Sequence, residues 1–312
     1  MKKNNSISFF TLLLLFSTVF TMAQEGHPLE GNWNLTINQE GKQLPGWLEI
    51  RHSGTNTLIG RFTYAFGSAR PIAEVKKYGD LFYFEIPPQW EPGAANMEFE
   101  GKLAGDGLEG TMIYTDGKIY DWTATKAPKL EYYDNQKLGK KIELFNGKNL
   151  DGWKTPEGNQ WVVENGILTS PKSGINLVSE EEFMDFKLHA EFRYPEGSNS
   201  GLYLRGRYEL QIADNIGLEA SSIYFGGIYG LLSPNENRAM KAGEWQTYDI
   251  TLVGRRVTIV ANGKTVISNQ NIDGMTGGAL DNNEAEPGPI MIQGDHGPVE
   301  FRALELTPIT KG

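Results

Sequence analysis

Short segments that alternate apolar and polar residues, separated by turns rich in Gly, Asp and Asn, fill most of this sequence. Residues 31–37 read GNWNLTI and residues 186–194 read FKLHAEFRY. Alternation with period two places successive side chains on opposite faces of a β-strand. AGDG (104–107) and ANGK (261–264) carry the glycine-containing pairs that favour hairpin turns. Because long helical periodicity is hard to find anywhere, the pattern predicts an all-β protein.

The strand-like segments fall into two groups. Residues 24–126 predict a small all-β domain, either an antiparallel barrel or a sandwich, with a weak likeness to lipocalins in its opening Gly-x-Trp. Residues 127–140 contain Pro and several charges with little periodicity, so we interpret them as a linker. Residues 141–312 contain many short strands at regular spacing, which favours a two-sheet sandwich or jelly roll.

The first 23 residues have the pattern of a signal peptide. Lys2 and Lys3 precede the apolar stretch ISFFTLLLLFSTVF, and the small residues Thr21 and Ala23 follow it. The chain has no cysteine, which excludes disulfides, thiolate metal sites and a lipid-modified cysteine. We therefore expect a periplasmic or secreted protein that is not a lipoprotein and has no membrane span after signal cleavage.

The charge distribution argues against nucleic-acid partners. The formal net charge is -10, and no stripe of Lys and Arg is present. Proteins that bind nucleic acid carry such basic patches to neutralise phosphates.

Three strands of the second domain each have one apolar face and one polar face. A solvated outer face is the simplest interpretation of this pattern. However, planar hydrogen-bonding groups of the kind that bind sugars are frequent on the polar faces. Asn199 and Asp295 add polar groups at strand ends, where loops commonly build sites. The polar side chains on the three strands include His189, Glu191, Tyr203, Arg205, Glu209 and Gln211.

Two further residues are candidates for a site. His296 follows Asp295 and lies between Gly294 and Gly297, so its ring can stand clear of its neighbours. Imidazole is the side chain most often used for proton transfer near neutral pH. QGDHG (293–297) could equally be a glycine-rich turn without a function. In the first domain, Trp90 lies in the loop IPPQWEPG and could stack on a sugar, whereas Trp33 and Trp122 fit core positions.

An ordered set of segments in the second domain resembles the 3-keto-disaccharide hydrolase domain family over about residues 141–309. The resemblance implies a concanavalin A-like jelly roll that binds carbohydrate on one sheet face. It also implies a glycan or glycoside substrate that a separate oxidoreductase has oxidised to a ketone at C3. The family includes hydrolases and lyases. The segments are ELFNGKNLDGW, WVVENGILTS, FKLHAEFRYPEGSNSGLYLRGRYELQIAD, GGIYG, AGEWQTYDITLVGRRVTIVANGKTV and GPIMIQGDHGPVEFRALELTP.

Such a substrate would suit the candidate residues. A ketone at C3 acidifies the C2 proton, so a base can remove it and the C1 substituent can leave by β-elimination, with or without rehydration. His296 is the preferred base or acid, and Glu209 and Glu191 are the candidate carboxylates. No cofactor is required by this chemistry, but the same three residues could instead hold a divalent cation.

The remaining candidates are assigned to substrate binding: Arg205, Gln211, Tyr203, Asn199, Asp295, Trp90 and Tyr229, which lies in GGIYG. The alternative function is that of a non-catalytic carbohydrate-binding protein on a lectin-like jelly roll. The presence of Glu209, Gln211 and His296 together favours the enzyme, because a lectin could lose the histidine without losing its function.

Overall fold

The computed structural model describes residues 27–312, and every regular element in this range is a β-strand. The first unit contains nine of them: β1 (Gly31–Gln39), β2 (Lys42–Ser53), β3 (Thr57–Thr63), β4 (Arg70–Ile72), β5 (Lys76–Tyr78), β6 (Leu81–Ile86), β7 (Met97–Ala104), β8 (Gly107–Ile113) and β9 (Ile119–Lys126). The all-β prediction is confirmed for this range.

The second unit contains the remaining strands: β10 (Gln136–Leu138), β11 (Ile142–Glu143), β12 (Trp153–Lys154), β13 (Val162–Glu164), β14 (Ile167–Ser170), β15 (Leu177–Phe183), β16 (Phe186–Arg193), β17 (Asn199–Leu204), β18 (Tyr208–Ala213), β19 (Gln246–Val253), β20 (Arg256–Ala261), β21 (Lys264–Asn271), β22 (Gly288–Ile292) and β23 (Val299–Lys311). Because β10 pairs with β23, the end of the segment predicted as a linker belongs to this unit.

The first unit is a small antiparallel barrel. Its strands pair with their chain neighbours except between β4 and β5, and β1 pairs with β9. The sheet curves until β4 packs against β6. Alternating residues fill the interior, and the largest of them include Trp33, Phe62, Phe99 and Trp122. The expected core positions of Trp33 and Trp122 are therefore confirmed.

The second unit is a jelly-roll sandwich of two antiparallel sheets. One sheet has the order β13-β14-β23-β16-β19-β20-β21, with β10 and β11 paired to β23. The other has the order β12-β15-β22-β17-β18. Apolar residues of both inner faces form one continuous core, which includes Phe192, Leu202, Tyr248 and Ile292. Each sheet therefore has an outer face, and the two outer faces lie on opposite sides of the sandwich.

The two units meet at the loop 272–287, which joins β21 to β22. Trp47 of the barrel is fully buried there. The Arg61 guanidinium lies 5.2 Å from its ring centroid, and a side chain at Gly274 would collide with the indole. Arg61 also pairs with Asp273 at 2.6 Å, and the Asn282 side-chain nitrogen donates to the β1 backbone at 2.9 Å. Burial and charge pairing together fix the barrel against this loop.

No helix among residues 27–312 is long and apolar enough to span a membrane. The predicted signal peptide, residues 1–23, lies outside the described residues.

Candidate active site

A cavity of about 390 Å³ lies on the outer face of the five-stranded sheet, beside the barrel. Cavities of roughly this size and larger commonly bind small molecules. The sheet, the loops of the second unit and the barrel all contribute to it. Its lining residues are Phe66, Gly67, Trp90, Asn199, Tyr203, Glu209, Gln211, Tyr229, Gly277, Gly278, Gln293, Asp295 and His296.

Strand alternation directs the polar groups of β17 and β18 into this cavity. Leu202 and Leu210 pair across the two strands and pack into the core. Tyr203 and Glu209, one residue further along, form the next pair and therefore point the opposite way. The sequence prediction that these two residues share a polar face agrees with their positions.

Glu209 is a buried carboxyl in the cavity wall, with only 4% of its surface exposed. Its side chain lies over the backbone of Gly201 on the neighbouring strand, where any Cβ would collide with it. Desolvation raises the pKa of Glu209 to about 8, since burial penalises the charged form. The hydrogen bond from Tyr203 and the nearby charge of His296 oppose this shift in pKa, and Asp295 adds to it. Glu209 is therefore mostly protonated at neutral pH.

The hydrogen bonds around Glu209 suit the protonated acid. The Tyr203 hydroxyl lies 2.9 Å from Glu209 Oε2 and 2.9 Å from the Gly277 carbonyl oxygen. A tyrosine hydroxyl has one proton, so it cannot donate fully to both. When Glu209 is protonated, it can donate to Tyr203 while Tyr203 donates to Gly277. The Gln211 amide, oriented to satisfy its neighbours, places its nitrogen 3.1 Å from Glu209 Oε1.

Asp295 and His296 form a second titrating group at the cavity, in the turn after β22. Asp295 Oδ1 lies 2.7 Å from Nδ1 of His296. The hydrogen bond to the carboxylate raises the pKa of His296 above its ordinary value of 6.5, and Glu209 acts in the same direction. Because Asp295 engages Nδ1, Nε2 is the nitrogen available to a substrate.

The glycines around His296 have a packing reason. Gly294 donates its N–H to the Asn176 side chain at 2.9 Å, and a Cβ there would collide with the carbonyl of Ile175. A Cβ at Gly297 would lie 2.6 Å from Ser198 Oγ. The turn is therefore closely packed against two neighbouring segments, and it holds the histidine in place.

The segment between β18 and β19 brings Tyr229 next to Glu209. The Tyr229 N–H donates to the Glu209 carbonyl oxygen at 2.9 Å. Burial raises the pKa of the Tyr229 hydroxyl, and the Glu209 carboxyl raises it further.

Asn199, at the start of β17, lies beside Gln211 with their amide groups 3.0 Å apart. Both amides line the same wall of the cavity.

The structure places Glu191 far from this cavity. It lies on β16, on the outer face of the other sheet, where it pairs with Arg302 and lies 3.5 Å from His189. The prediction that Glu191 acts with Glu209 is therefore wrong, because their strands belong to different sheets. The predicted cation set of Glu209, Glu191 and His296 is wrong for the same reason. In residues 27–312 no group of three or more His, Asp or Glu side chains could hold a metal ion.

Arg205 also lies outside the cavity, which corrects its assignment to sugar binding. It follows the last residue of β17 and has a φ of 54°, which breaks the strand alternation. Its guanidinium is fully buried, donates to the Gly254 carbonyl at 2.7 Å and lies over the Tyr208 ring. Arg205 is therefore part of the interior that supports the five-stranded sheet.

Several lining residues were not identified from the sequence. Phe66 and Gly67 come from the barrel, Gly277 and Gly278 from the loop 272–287, and Gln293 from the end of β22. These positions lie in or beside irregular segments, where no periodic pattern predicts which way a side chain points. Gln293 is the most informative of them, because its buried Oε1 has no hydrogen-bond partner among residues 27–312. Such an atom is a natural acceptor for a substrate hydroxyl.

One protein-family model matches the second unit of the chain. Residues 140–307 match the family described as the 3-keto-alpha-glucoside-1,2-lyase-like domain, which is more than half of the chain. The chain belongs to this family, and it is a carbohydrate-active enzyme. A comparison with curated proteins gave no match.

Among solved structures, the chain is similar to two predicted glycosyl hydrolases from Parabacteroides distasonis ATCC 8503. One is 27% identical with a TM-score of 0.46, over 56% of this chain and 93% of the other. The second is 26% identical with a TM-score of 0.44, over 54% of this chain and 98% of the other. A third similar structure is porphyranase B from Zobellia galactanivorans, which is 11% identical with a TM-score of 0.34, over 59% and 100% of the two chains.

Proposed function

We propose that the protein cleaves 3-keto-glycosides by abstracting the C2 proton and eliminating the substituent at C1. One observation carries this proposal. The buried Glu209, whose pKa is raised to about 8, shares a cavity with the Asp295–His296 pair. An elimination needs a base and an acid in the same site, and here one carboxyl is held protonated near a histidine with a free ring nitrogen.

In the first step, Nε2 of neutral His296 takes the proton from C2. The C2–H electron pair forms the C2–C3 double bond of an enolate, and the negative charge moves to the oxygen at C3. Asp295 stabilises the imidazolium that results, since it accepts a hydrogen bond from Nδ1. The side-chain amide of Asn199 lines the same cavity and is a neutral donor that could bind the enolate oxygen.

In the second step, the C3–O double bond re-forms, a double bond forms between C1 and C2, and the C1–O bond breaks. Protonated Glu209 donates its proton to the departing oxygen. The products are a 2-hydroxy-3-keto-glycal and the free alcohol. Addition of water to the glycal would give net hydrolysis. The proposed steps use no metal ion, because Glu191 lies on a different sheet from Glu209 and His296, so the three predicted ligands cannot bind one ion together.

We further propose that the substrate reaches the protein outside the cytoplasm, in keeping with the signal-like residues 1–23. A plain glycoside lacks the acidic C2 proton that this site would use. A separate oxidoreductase that converts the C3 hydroxyl to a ketone must therefore supply the substrate.

The test incubates the purified protein with a 3-keto-glycoside and with its unoxidised parent, and follows the products by mass. We expect cleavage of the ketone alone, with the glycal appearing before any hydrated sugar. Equal cleavage of the parent would instead indicate direct glycoside hydrolysis. Binding of both compounds without turnover of either would favour the non-catalytic carbohydrate-binding alternative.

A further inference from the structure

Trp90 of the barrel is largely exposed, yet its loop is rigidly supported. Trp90 is 67% exposed and lines the cavity. Beneath it, Arg70 and Glu91 form a bidentate ion pair with donor–acceptor distances of 2.8 and 3.1 Å. Glu91 Oε2 also accepts the backbone N–H groups of Gln89 and Trp90, at 2.7 and 3.1 Å. An exposed aromatic side chain on a well-anchored backbone is typical of a binding surface.

The neighbouring turn of the barrel is attached to the same loop. The Ser68 N–H donates to Gln89 Oε1 at 2.9 Å, which fixes Phe66 and Gly67 beside Trp90. The turn is also tied to the second unit, because the Gly278 N–H donates to the Ala65 carbonyl at 2.8 Å. The barrel therefore holds Phe66 and Trp90 at a fixed position relative to the sheet that carries Glu209.

The proposed mechanism indicates which part of the substrate would contact the aromatic residues Trp90, Phe66 and Tyr229. In the proposed function, on which this inference rests, Glu209 donates its proton to the oxygen that links C1 to the leaving group. The leaving group must therefore extend from Glu209 away from His296. Tyr229 lies beside Glu209 on the chain segment hydrogen-bonded to it, and Trp90 and Phe66 belong to the same cavity.

We propose that Trp90, Phe66 and Tyr229 bind the ring of the leaving group, so that the barrel selects 3-keto-glycosides whose aglycone is a second sugar. The apolar C–H face of a pyranose ring stacks on an indole, whereas its hydroxyls stay at the open side of the cavity. The barrel is then a specificity-determining part of the active site, although the family match begins only at residue 140.

The experiment compares three 3-keto-glucosides with methyl, cyclohexyl and glucosyl aglycones. Glu209 protonates each leaving group, so all three depart as alcohols. Their intrinsic reactivities differ but are the same for wild type and variant, so a change in the ratio of kcat/KM values between the two proteins reports binding of the aglycone. For Trp90→Ala, we expect the ratio of kcat/KM for the glucosyl compound to that for the methyl compound to fall about tenfold, which is a loss of about 1.4 kcal/mol. Trp90→Phe should retain most of the ratio, because it keeps an aromatic face.

The matched control is Tyr78→Ala. Tyr78 is an equally exposed aromatic residue of the barrel, at 67%, and it does not line the cavity. Its loss should leave the ratio unchanged. A fall for the glucosyl compound alone would support selection of a sugar. A parallel fall for the cyclohexyl compound would contradict that selection, because the surface would then accept any ring with an apolar face.

An unchanged ratio in Trp90→Ala, with wild-type turnover of all three compounds, would overturn this inference and leave the proposed function intact. Failure of the wild-type protein to cleave any of the three would instead count against the proposed function itself.

Discussion

Glu209 is the residue whose environment departs most from that of an ordinary carboxyl. Its neighbours Tyr203 and Gln211 offer polar atoms on both sides of the carboxyl group. Among residues 27–312, no Lys or Arg lines the cavity to stabilise its ionised form. Desolvation therefore dominates and the pKa rises. Such a group can serve as an acid at neutral pH, a role that a solvent-exposed glutamate could not fill.

If Glu209 is the acid, its loss should slow cleavage most for leaving groups that must be protonated. Glu209→Gln keeps the size of the side chain but cannot release a proton. We expect turnover of a methyl 3-keto-glycoside to fall by about 100-fold or more. A 4-nitrophenyl 3-keto-glycoside should lose much less, because nitrophenolate leaves without protonation. The fall of activity above about pH 8, due to ionisation of Glu209, should also disappear for this compound. Equal losses for both compounds would contradict the role.

The raised pKa of Glu209 also predicts a dependence of stability on pH. In the unfolded chain, Glu209 ionises near its ordinary value of 4.5, whereas in the folded protein it ionises near 8. Below pH 4.5 the group is protonated in both states. As the pH rises towards 8, only the unfolded state loses the proton, so the folded state loses stability.

Glu209→Gln should remove this loss. We expect its free energy of unfolding, relative to wild type, to increase by a few kcal/mol from pH 4.5 to pH 8 and then to level off. Urea denaturation at several pH values measures the difference, and Glu191→Gln is a control carboxyl on the outer face of the other sheet. A difference that stays constant with pH would show that the pKa of Glu209 is not raised.

At the scale of strands, alternation predicted local faces well but could not predict which sheet a strand joins. It correctly placed Tyr203, Glu209 and Gln211 on one face, since they lie on adjacent strands. It failed for Glu191, because β16 has the same alternation and is paired with β19 and β23 in the other sheet. Long-range pairing, which decides this, leaves no trace in a single strand.

Arg205 shows a second limit of strand alternation as a predictor of side-chain direction. A residue directly after a strand can leave the alternation when its backbone enters the left-handed region. The buried group that includes Arg205 instead anchors the loop 272–287. Tyr208 donates to Glu284 at 2.6 Å, and Arg255 forms a bidentate pair with the same carboxylate at 2.6 and 2.9 Å.

The contacts of Glu284 with Tyr208 and Arg255 predict that a substitution at Glu284, away from the catalytic groups, will strongly lower stability. Glu284 is fully buried, so Glu284→Ala leaves Arg255 and Tyr208 without their acceptor. We expect a loss of about 3–5 kcal/mol in the free energy of unfolding, measured by denaturant titration. Glu286→Ala, an exposed carboxylate on the same loop, should cost less than about 0.5 kcal/mol. Similar small losses for both variants would mean that the buried network does not anchor the loop.

At the scale of the whole molecule, the cavity depends on both units. The sandwich supplies the titrating groups and the barrel supplies Phe66 and Trp90, while Trp47 and Arg61 hold the two units together. The exposed position of Trp90 in its loop could be predicted from the Pro and Gly around it. The contact between the barrel and the loop 272–287 could not, because it joins irregular segments far apart in the chain.

The central claim is that His296 removes the C2 proton of a 3-keto-glycoside and Glu209 protonates the leaving group. The most direct measurement follows the C2 hydrogen of a methyl 3-keto-glycoside in D₂O by NMR, against a control without protein. Wild type should cleave the compound and leave none of the original C2 hydrogen in any hydrated product. Glu209→Gln should still exchange it in uncleaved substrate, and His296→Ala should neither exchange nor cleave. Hydrated product that keeps its original C2 hydrogen, or normal exchange by His296→Ala, would contradict the claim.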